Sequence, residues 1–168
     1  MSKTIDDHDS MADINPNRSQ IEDLYTDYNI ALDDLNLEAW PQFFTQTCLY
    51  RITTRENWEG KFPLSTIICE SREMLEDRVA ATRKSMMYAP RSYRRYHSGL
   101  KIISSSAGVT KTRLNFFVAQ TLVDKPSEVA FCGVAYDTIV EEESTLRFKE
   151  RICVMDTEMI PNSLIYPI

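Results

Sequence analysis

The feature that most constrains this chain is a run of four strand-like segments between residues 92 and 156. In the last of these segments the apolar residues fall on one parity: Leu146, Phe148, Ile152 and Val154. That alternation is typical of a β-strand that buries one face. Glu150 interrupts the apolar row, so it either pairs with a basic neighbour or marks a bulge that reverses the alternation.

The other segments of this run, including 110–123 and 129–140, are rich in apolar and β-branched residues. Short polar intervals at 104–108, 124–127 and 141–144 suit hairpin turns. Consecutive strands joined by short turns pair antiparallel, and one face of such a sheet has to be covered. The sequence therefore predicts an antiparallel meander with a cover supplied from upstream.

The cover is predicted to be helical. Ser19 and Glu22 have the spacing of a capping box, and apolar residues at helical spacing follow, which predicts a first helix over about 20–35. We predict a short helix over 37–44 with Pro41 in its first turn, a strand over 47–54, a loop over 55–63 and a helix over 71–84.

Helices gathered early and strands gathered late predict an α+β domain. In it, about three N-terminal helices pack on a strongly curved, mostly antiparallel sheet, which makes a cone. We expect a flexible tail over residues 1–17, because that stretch is polar and acidic, and a single domain over 18–168. The open end of a cone can hold a pocket, and the architecture serves both enzymes and structural proteins.

Composition limits the classes of partner. The net charge of −6 and the pI near 5.0 argue against nucleic acid or an anionic membrane as the main partner. No run approaches the roughly 20 apolar residues of a membrane span, and no signal peptide is visible, so we expect a cytoplasmic protein. The four cysteines are widely spaced, which favours buried reduced thiols over a disulfide or a metal set.

Several titratable side chains are candidates for chemistry inside the cone: Tyr25, Tyr28, Asp33, Asp34, His97, Asp137 and Glu150. A carboxylate, an imidazole and a tyrosine donor are sufficient for a dehydratase or an isomerase. Each also has a structural explanation, because acids at the end of a helix or in a strand commonly pair with arginine. No spacing typical of a metal or nucleotide site occurs.

Five stretches of the sequence resemble one known family. They are LDDLNLEAWPQFF at 32–44, CLYRIT at 48–53, MLEDRV at 74–79, YAPR at 88–91 and LRFKER at 146–151. Together and in this order they resemble the small (beta) subunit of Rieske-type aromatic-ring-hydroxylating dioxygenases, in the subgroup that acts on aromatic acids such as salicylate or terephthalate. Many members have a tryptophan in the last hairpin, where this chain has Glu143, Ser144 and Thr145.

The resemblance implies a nuclear-transport-factor-2-like cone and a place in an NAD(P)H-dependent multicomponent oxidoreductase. It implies that this chain holds no catalytic residue, cofactor or metal. The large (alpha) subunit is expected to carry a Rieske 2Fe-2S cluster and a mononuclear non-heme iron, with three large and three small subunits in the assembly.

Tyrosine and arginine dominate the binding energy of many interfaces, so we hypothesise a subunit interface where they are enriched. The residues are Arg55, Trp58, Arg91, Tyr93, Arg94, Arg95 and Tyr96. A solvated basic patch is the alternative for these residues. For the whole chain, the alternative is a stand-alone cone-fold dehydratase or isomerase that uses His97 and a carboxylate.

Overall fold

The structure, a computed structural model, describes residues 16–85, 89–158, 164 and 166–168. Three helices are α1 (Arg18–Asp33), α2 (Arg55–Glu59) and α3 (Arg72–Ser85), and a 3-10 turn covers Trp40–Phe43. Six strands are β1 (Phe44–Thr54), β2 (Ile67–Cys69), β3 (Arg91–Ser106), β4 (Val109–Leu122), β5 (Glu128–Glu142) and β6 (Thr145–Met155).

The six strands form one sheet in the order β2-β1-β6-β5-β4-β3. Strands β3 to β6 pair antiparallel with their sequence neighbours, which confirms the predicted meander. Strand β1 returns to pair in parallel with β6, with Tyr50 opposite Arg151, and β2 pairs antiparallel with β1. The α+β class and the mostly antiparallel sheet are therefore confirmed, although the parallel pair was not predicted.

A bulge near Lys149 sets which side chains of β6 face the helices. Phe148 lies opposite Ile139 and Glu150 lies opposite Thr138, so the alternation reverses between them. Beyond the bulge the residues Arg151, Cys153 and Met155 are buried. The expectation of one continuous apolar row from Leu146 to Val154 is wrong beyond Phe148, and the bulge interpretation of Glu150 is confirmed.

The helix boundaries differ from the prediction by a few residues. Asn17 caps α1, because its side chain accepts from the Gln20 backbone while the Gln20 side chain accepts from Asn17, which completes a capping box. The predicted box of Ser19 and Glu22 is therefore wrong. The predicted helix over 37–44 is only the 3-10 turn, with Pro41 in its first turn as expected, and α2 lies inside the stretch predicted to be a loop.

The helices cover the concave face of the sheet with a core built largely from aromatic rings. The largest fully buried side chains include Tyr25, Tyr28, Trp40, Tyr50, Phe44 and Phe148. Tyr28 and Phe148 meet edge to face with ring centroids 5.5 Å apart, and Trp40 meets Tyr50 at 5.1 Å. Aromatic side chains bury more surface per residue than others, so these rings fill the interior of the cone.

The described residues at 164 and 166–168 pack against this core. The Tyr28 hydroxyl donates to the Ile168 carbonyl at 2.8 Å, and the Ile168 amide donates to the Tyr50 hydroxyl at 2.9 Å. Buried Arg95 donates to the Pro167 carbonyl. These bonds satisfy hydroxyl and guanidinium groups that burial would otherwise leave unpaired.

Some expectations concern residues outside the described ranges. Residues 1–15 of the predicted flexible tail and Tyr88 of the YAPR motif are among them, and the single domain over 18–168 stays a prediction. All four cysteines are free thiols, and Cys48, Cys69 and Cys153 are buried, in keeping with the expected reduced state. None of the helices in the described residues is long and apolar enough to cross a membrane.

Candidate functional site

A buried polar cluster lies where α1 meets the concave face of the sheet. The Tyr25 hydroxyl donates to Asp137 Oδ2 at 2.7 Å and lies 2.7 Å from Thr112 Oγ1. Arg151 donates to the same Asp137 oxygen at 2.9 Å. Four elements, α1, β4, β5 and β6, each contribute one of these side chains, so the cluster exists only in the folded chain.

The charges of this cluster are shielded from water. The Arg151 guanidinium lies over three rings, 4.5 Å from the centroid of Tyr28, 5.0 Å from that of Phe148 and 5.5 Å from that of Tyr25. Burial opposes the charge of Arg151, but the Asp137 carboxylate together with Cys153, Tyr28 and Tyr25 raises the pKa of Arg151 well above its ordinary value. The arginine is therefore a permanent buried cation held by one carboxylate and aromatic faces.

Burial also shifts the pKa values of the two other titratable groups of the cluster, Tyr25 and Asp137. Burial, reinforced by the Asp137 carboxylate, raises the pKa of Tyr25 well above its ordinary value. Burial also raises the pKa of the Asp137 carboxyl, while Arg151 and the Tyr25 hydroxyl act in the opposite direction. Asp137 Oδ1 and Arg151 Nε have no hydrogen-bond partner within the described part of the chain. The cluster resembles a buried ion pair more than an exposed acid and base.

His97 lies at the edge of the helix layer, half-buried. The Asn29 amide nitrogen is 3.1 Å from His97 Nδ1, and the imidazole centroid is 5.5 Å from that of Tyr25. Burial lowers the pKa of His97, and Arg151 lowers it further. Among the described residues no carboxylate hydrogen-bonds to His97, so the pair of imidazole and acid required by the stand-alone enzyme is not assembled.

The remaining candidate acids have structural partners or face solvent. Asp33 accepts from Arg95 Nη1 at 2.7 Å and from the Arg95 backbone amide. Asp34 is exposed at the end of α1. Glu150 accepts from the Thr138 hydroxyl at 2.8 Å and forms no ion pair with the described residues, so of its two predicted roles the structure shows the bulge. Asp137 does pair with an arginine, as its structural explanation required.

The sequence reasoning missed Arg151 and Thr112. When the alternation is counted from Leu146, Arg151 falls at a position expected to face solvent. Its side chain faces the interior only because the bulge reverses the alternation. Thr112 lies between Leu114 and Thr110 on the buried parity of β4, so its position was readable from the alternation. Its hydroxyl was not an obvious partner for a tyrosine 87 residues away.

The hypothesised interface residues on β3 divide between two faces. Tyr93 and Arg95 are buried, with the Tyr93 hydroxyl donating to Gln120 at 2.9 Å. Arg94 and Tyr96 face outward, and the Tyr96 ring stacks on Phe117 with centroids 4.7 Å apart. Arg91 is half-buried and also donates to Gln120. Only part of this group is therefore available to a partner.

Arg55 and Trp58 lie on α2, which directly follows β1. Arg55 forms an ion pair with Asp156 on the surface, and Trp58 stacks on Tyr136 with ring centroids 5.2 Å apart. No contact seen among the described residues joins Arg55 or Trp58 to the hypothesised residues of β3, although Trp58 reaches Tyr136 of β5.

No group of three or more histidine, cysteine, aspartate or glutamate side chains in the described residues could hold a metal ion. The candidate site thus consists of a buried ion pair in an aromatic interior and two separate outward-facing surfaces. Such an arrangement suits assembly with a partner better than chemistry inside the cone.

Comparison with known proteins agrees with this geometry. The family model described as "Ring hydroxylating beta subunit" matches residues 29–162. The anthranilate 1,2-dioxygenase small subunit of Burkholderia cepacia is 36% identical over 137 residues, which are 82% of this chain and 85% of that protein. The beta 1 subunit of the terminal oxygenase component of terephthalate 1,2-dioxygenase from Comamonas sp is 28% identical over 90% of this chain and 99% of its own length.

A solved structure shows the same fold. The beta subunit assigned to an aromatic-ring-hydroxylating dioxygenase of Novosphingobium aromaticivorans matches with a TM-score of 0.82 and 32% identity. The match covers 89% of this chain and 95% of that one. The cone predicted from the sequence is thereby confirmed.

Proposed function

This chain belongs to the family of ring-hydroxylating beta subunits, the small subunits of aromatic-ring-hydroxylating dioxygenases, and we propose that it is a non-catalytic scaffold for an iron-bearing large subunit. The observation that carries the proposal is the family match over residues 29–162, which includes α1 from Asn29 onward and all six strands. Its role is to stabilise the oxygenase assembly during the degradation of an aromatic compound.

The interior of the cone supports a scaffold role. Large rings such as Tyr28, Trp40 and Phe148 are fully buried in that interior. Asp137, the one buried acid in the described part of the chain, is held by Arg151 and Tyr25 rather than by an imidazole. The alternative of a stand-alone dehydratase or isomerase that uses His97 is not favoured.

The large subunit in this proposal carries the Rieske 2Fe-2S cluster and the mononuclear iron, and three large subunits assemble with three small ones in the cytoplasm. The names of the anthranilate and terephthalate oxygenase subunits support an aromatic acid as the substrate of the complete enzyme. Substrate choice in this proposal belongs to the large subunit.

The outward-facing part of β3 supplies one contact surface in this proposal. Arg94 is exposed, and Tyr96 offers an aromatic face backed by its stack on Phe117. Aromatic and arginine side chains that are held in place before binding lose little freedom on association. Tyr93 and Arg95 support this surface from inside, where Arg95 binds Asp33.

Co-expression with the large subunit tests the proposal. We expect the purified small subunit to be inactive alone, and the co-purified complex to have the mass of a hexamer. Arg94→Glu and Tyr96→Ala should each weaken the complex, the latter roughly tenfold, whereas the control Lys111→Glu, a charge reversal at an exposed position of β4, should not. Turnover of a small molecule by the isolated chain would refute the scaffold role.

A further inference from the structure

A cleft of about 480 Å³ lies between α2 and the loop that follows it. Its walls are formed by Arg51, Asn57, Trp58, Lys61, Phe62 and Pro63. We call it the Trp58–Phe62 cleft, after the two aromatic side chains that line it. None of its lining residues belongs to the β3 surface described above.

The loop backbone of the cleft is fixed although the loop is exposed. Arg51 donates to the carbonyls of Phe62 and Leu64 at 3.0 and 3.2 Å and to the Ser65 hydroxyl at 2.7 Å. Thr53 also donates to the Leu64 carbonyl, and the Phe62 amide donates to the Asn57 carbonyl at 2.9 Å. A loop with this many hydrogen bonds presents its side chains in one arrangement.

Both aromatic walls are held in place as well. Trp58 stacks on Tyr136 of β5 at an interplanar angle of 17°. The Phe62 ring rests on Gly60, where an added Cβ would lie 2.5 Å from Phe62 Cε2. Phe62 is nevertheless 50% exposed. A large apolar ring that is held in place and half exposed is available to another surface and loses little freedom on association.

The cleft is positively charged on a chain whose net charge is −6. Arg51 bonds only neutral oxygens there, and within the described residues neither Arg51 nor Lys61 forms an ion pair with a carboxylate. Glu56 and Glu59 lie on α2 but do not line the cleft. The complementary ligand therefore combines a negative charge with an apolar group.

We propose that the Trp58–Phe62 cleft is a docking site for a segment of the large subunit in which an acidic side chain stands beside an apolar one. The apolar group fills the space between Trp58 and Phe62, and the carboxylate approaches Lys61 and Arg51. This inference rests on the proposed function, and it names a second contact surface, distinct from that on β3.

The test is co-purification of small-subunit variants with a tagged large subunit at low and high salt. Phe62→Ala removes the apolar wall and should weaken the complex roughly tenfold or more. Lys61→Glu places a negative charge against the partner's carboxylate and should weaken it similarly, with a difference from wild type that shrinks as salt increases. Both side chains are exposed, so thermal unfolding of the small subunit alone should change little.

The β4–β5 hairpin provides matched controls. Val123→Ala removes an apolar side chain that is 84% exposed, and Lys125→Glu reverses an exposed charge. Both controls should assemble like wild type. If the wild-type chain fails to bind the large subunit, the proposed function fails.

If wild type binds and the cleft variants bind as well as the controls, the function stands and the docking site is refuted. A third result would also overturn the proposal. If Phe62→Ala lowers the mass of the small subunit alone on a sizing column, without weakening the complex, then a second copy of this chain occupies the cleft.

Discussion

At the scale of single residues, the pair of Arg151 and Asp137 is the most consequential contact in the cone. Both side chains are at most 3% exposed. Removing one member of a buried pair leaves the other charge without compensation in a medium of low dielectric. Removing one partner therefore lowers the free energy of unfolding by more than the intact pair contributes to it. The pair determines how the interior is arranged more than it adds to stability.

We expect Arg151→Met to lower the free energy of unfolding by about 3–5 kcal/mol, because Asp137 would stay buried without its cation. Urea denaturation of the isolated chain measures the change. The double variant Arg151→Met with Asp137→Asn should recover part of the loss, because the orphaned charge is gone.

The surface pair of Arg55 and Asp156 is the control. Their side chains are 56% and 42% exposed, so Arg55→Met should cost about 0–1 kcal/mol. Equal losses from Arg55→Met and Arg151→Met would contradict the importance given to burial.

His97 makes the stability of the fold depend on pH. Burial and Arg151 lower the pKa of His97 below 6.5, so the unfolded chain takes up this proton more readily than the folded chain. The stabilising contribution of His97 is therefore complete above pH 6.5 and is lost as the pH falls from there through the lower pKa of the folded state. The free energy of unfolding should therefore decrease as the pH is lowered from 7.5 to 5.5.

The variant His97→Gln should flatten this dependence, as measured by urea denaturation at several pH values. His8→Gln removes the other histidine and is the matched comparison. An unchanged slope in His97→Gln would assign the pH dependence to other groups.

What the sequence could predict at this scale follows from the local pattern. A basic partner for Asp137 was expected, because a carboxylate in an apolar strand requires a compensating charge. Arg151 itself could not be identified, because its inward direction depends on the bulge near Lys149. The division of β3 into buried Tyr93 and Arg95 and exposed Arg94 and Tyr96 follows from strand alternation. The hypothesis of a single surface overlooked that alternation.

At the scale of elements, α1 connects the helical cover to the sheet through its buried face of Ile21, Tyr25, Tyr28 and Leu32. Its start is fixed by Asn17 and not by the serine two residues later. Asn17→Ala should therefore destabilise the chain by about 1 kcal/mol, since the first turn loses the acceptor for its free amide groups.

Thermal unfolding of the isolated chain compares the two variants. Ser19→Ala should have almost no effect on the thermal midpoint, because Ser19 lies inside the first turn. If Ser19→Ala destabilised the chain more than Asn17→Ala, the result would support the capping box predicted from the sequence and contradict the structure.

The long elements could be predicted better than the short ones for a physical reason. Helix α3 and strands β3 to β6 each contain several repeats of their period, and their predicted positions agree with the structure to within a few residues. Helix α2 has only five residues, too few to show a helical period. It forms because Thr54 caps it, with its side chain accepting from the Asn57 amide.

At the scale of the whole molecule, the interior of the cone is built largely from buried aromatic side chains. The number and order of elements indicated the cone, and the resemblance indicated the family. Neither could show that the rings of Trp40, Tyr50 and Phe148 converge, because β1 and β6 are distant in the sequence. Nor could they predict the Trp58–Phe62 cleft, whose shape depends on hydrogen bonds from Arg51 to a loop eleven and thirteen residues further on.

The parallel pairing of β1 with β6 has a consequence for how the chain is made. Tyr50 and its neighbour Arg151 are about 100 positions apart, so β1 leaves the ribosome long before its partner strand exists. Until then β1, with the α2 loop attached to it, lacks its main neighbour in the sheet, and contacts of such long range form slowly. A nascent small subunit therefore cannot present its completed surface to an oxygenase partner until translation has passed the sixth strand.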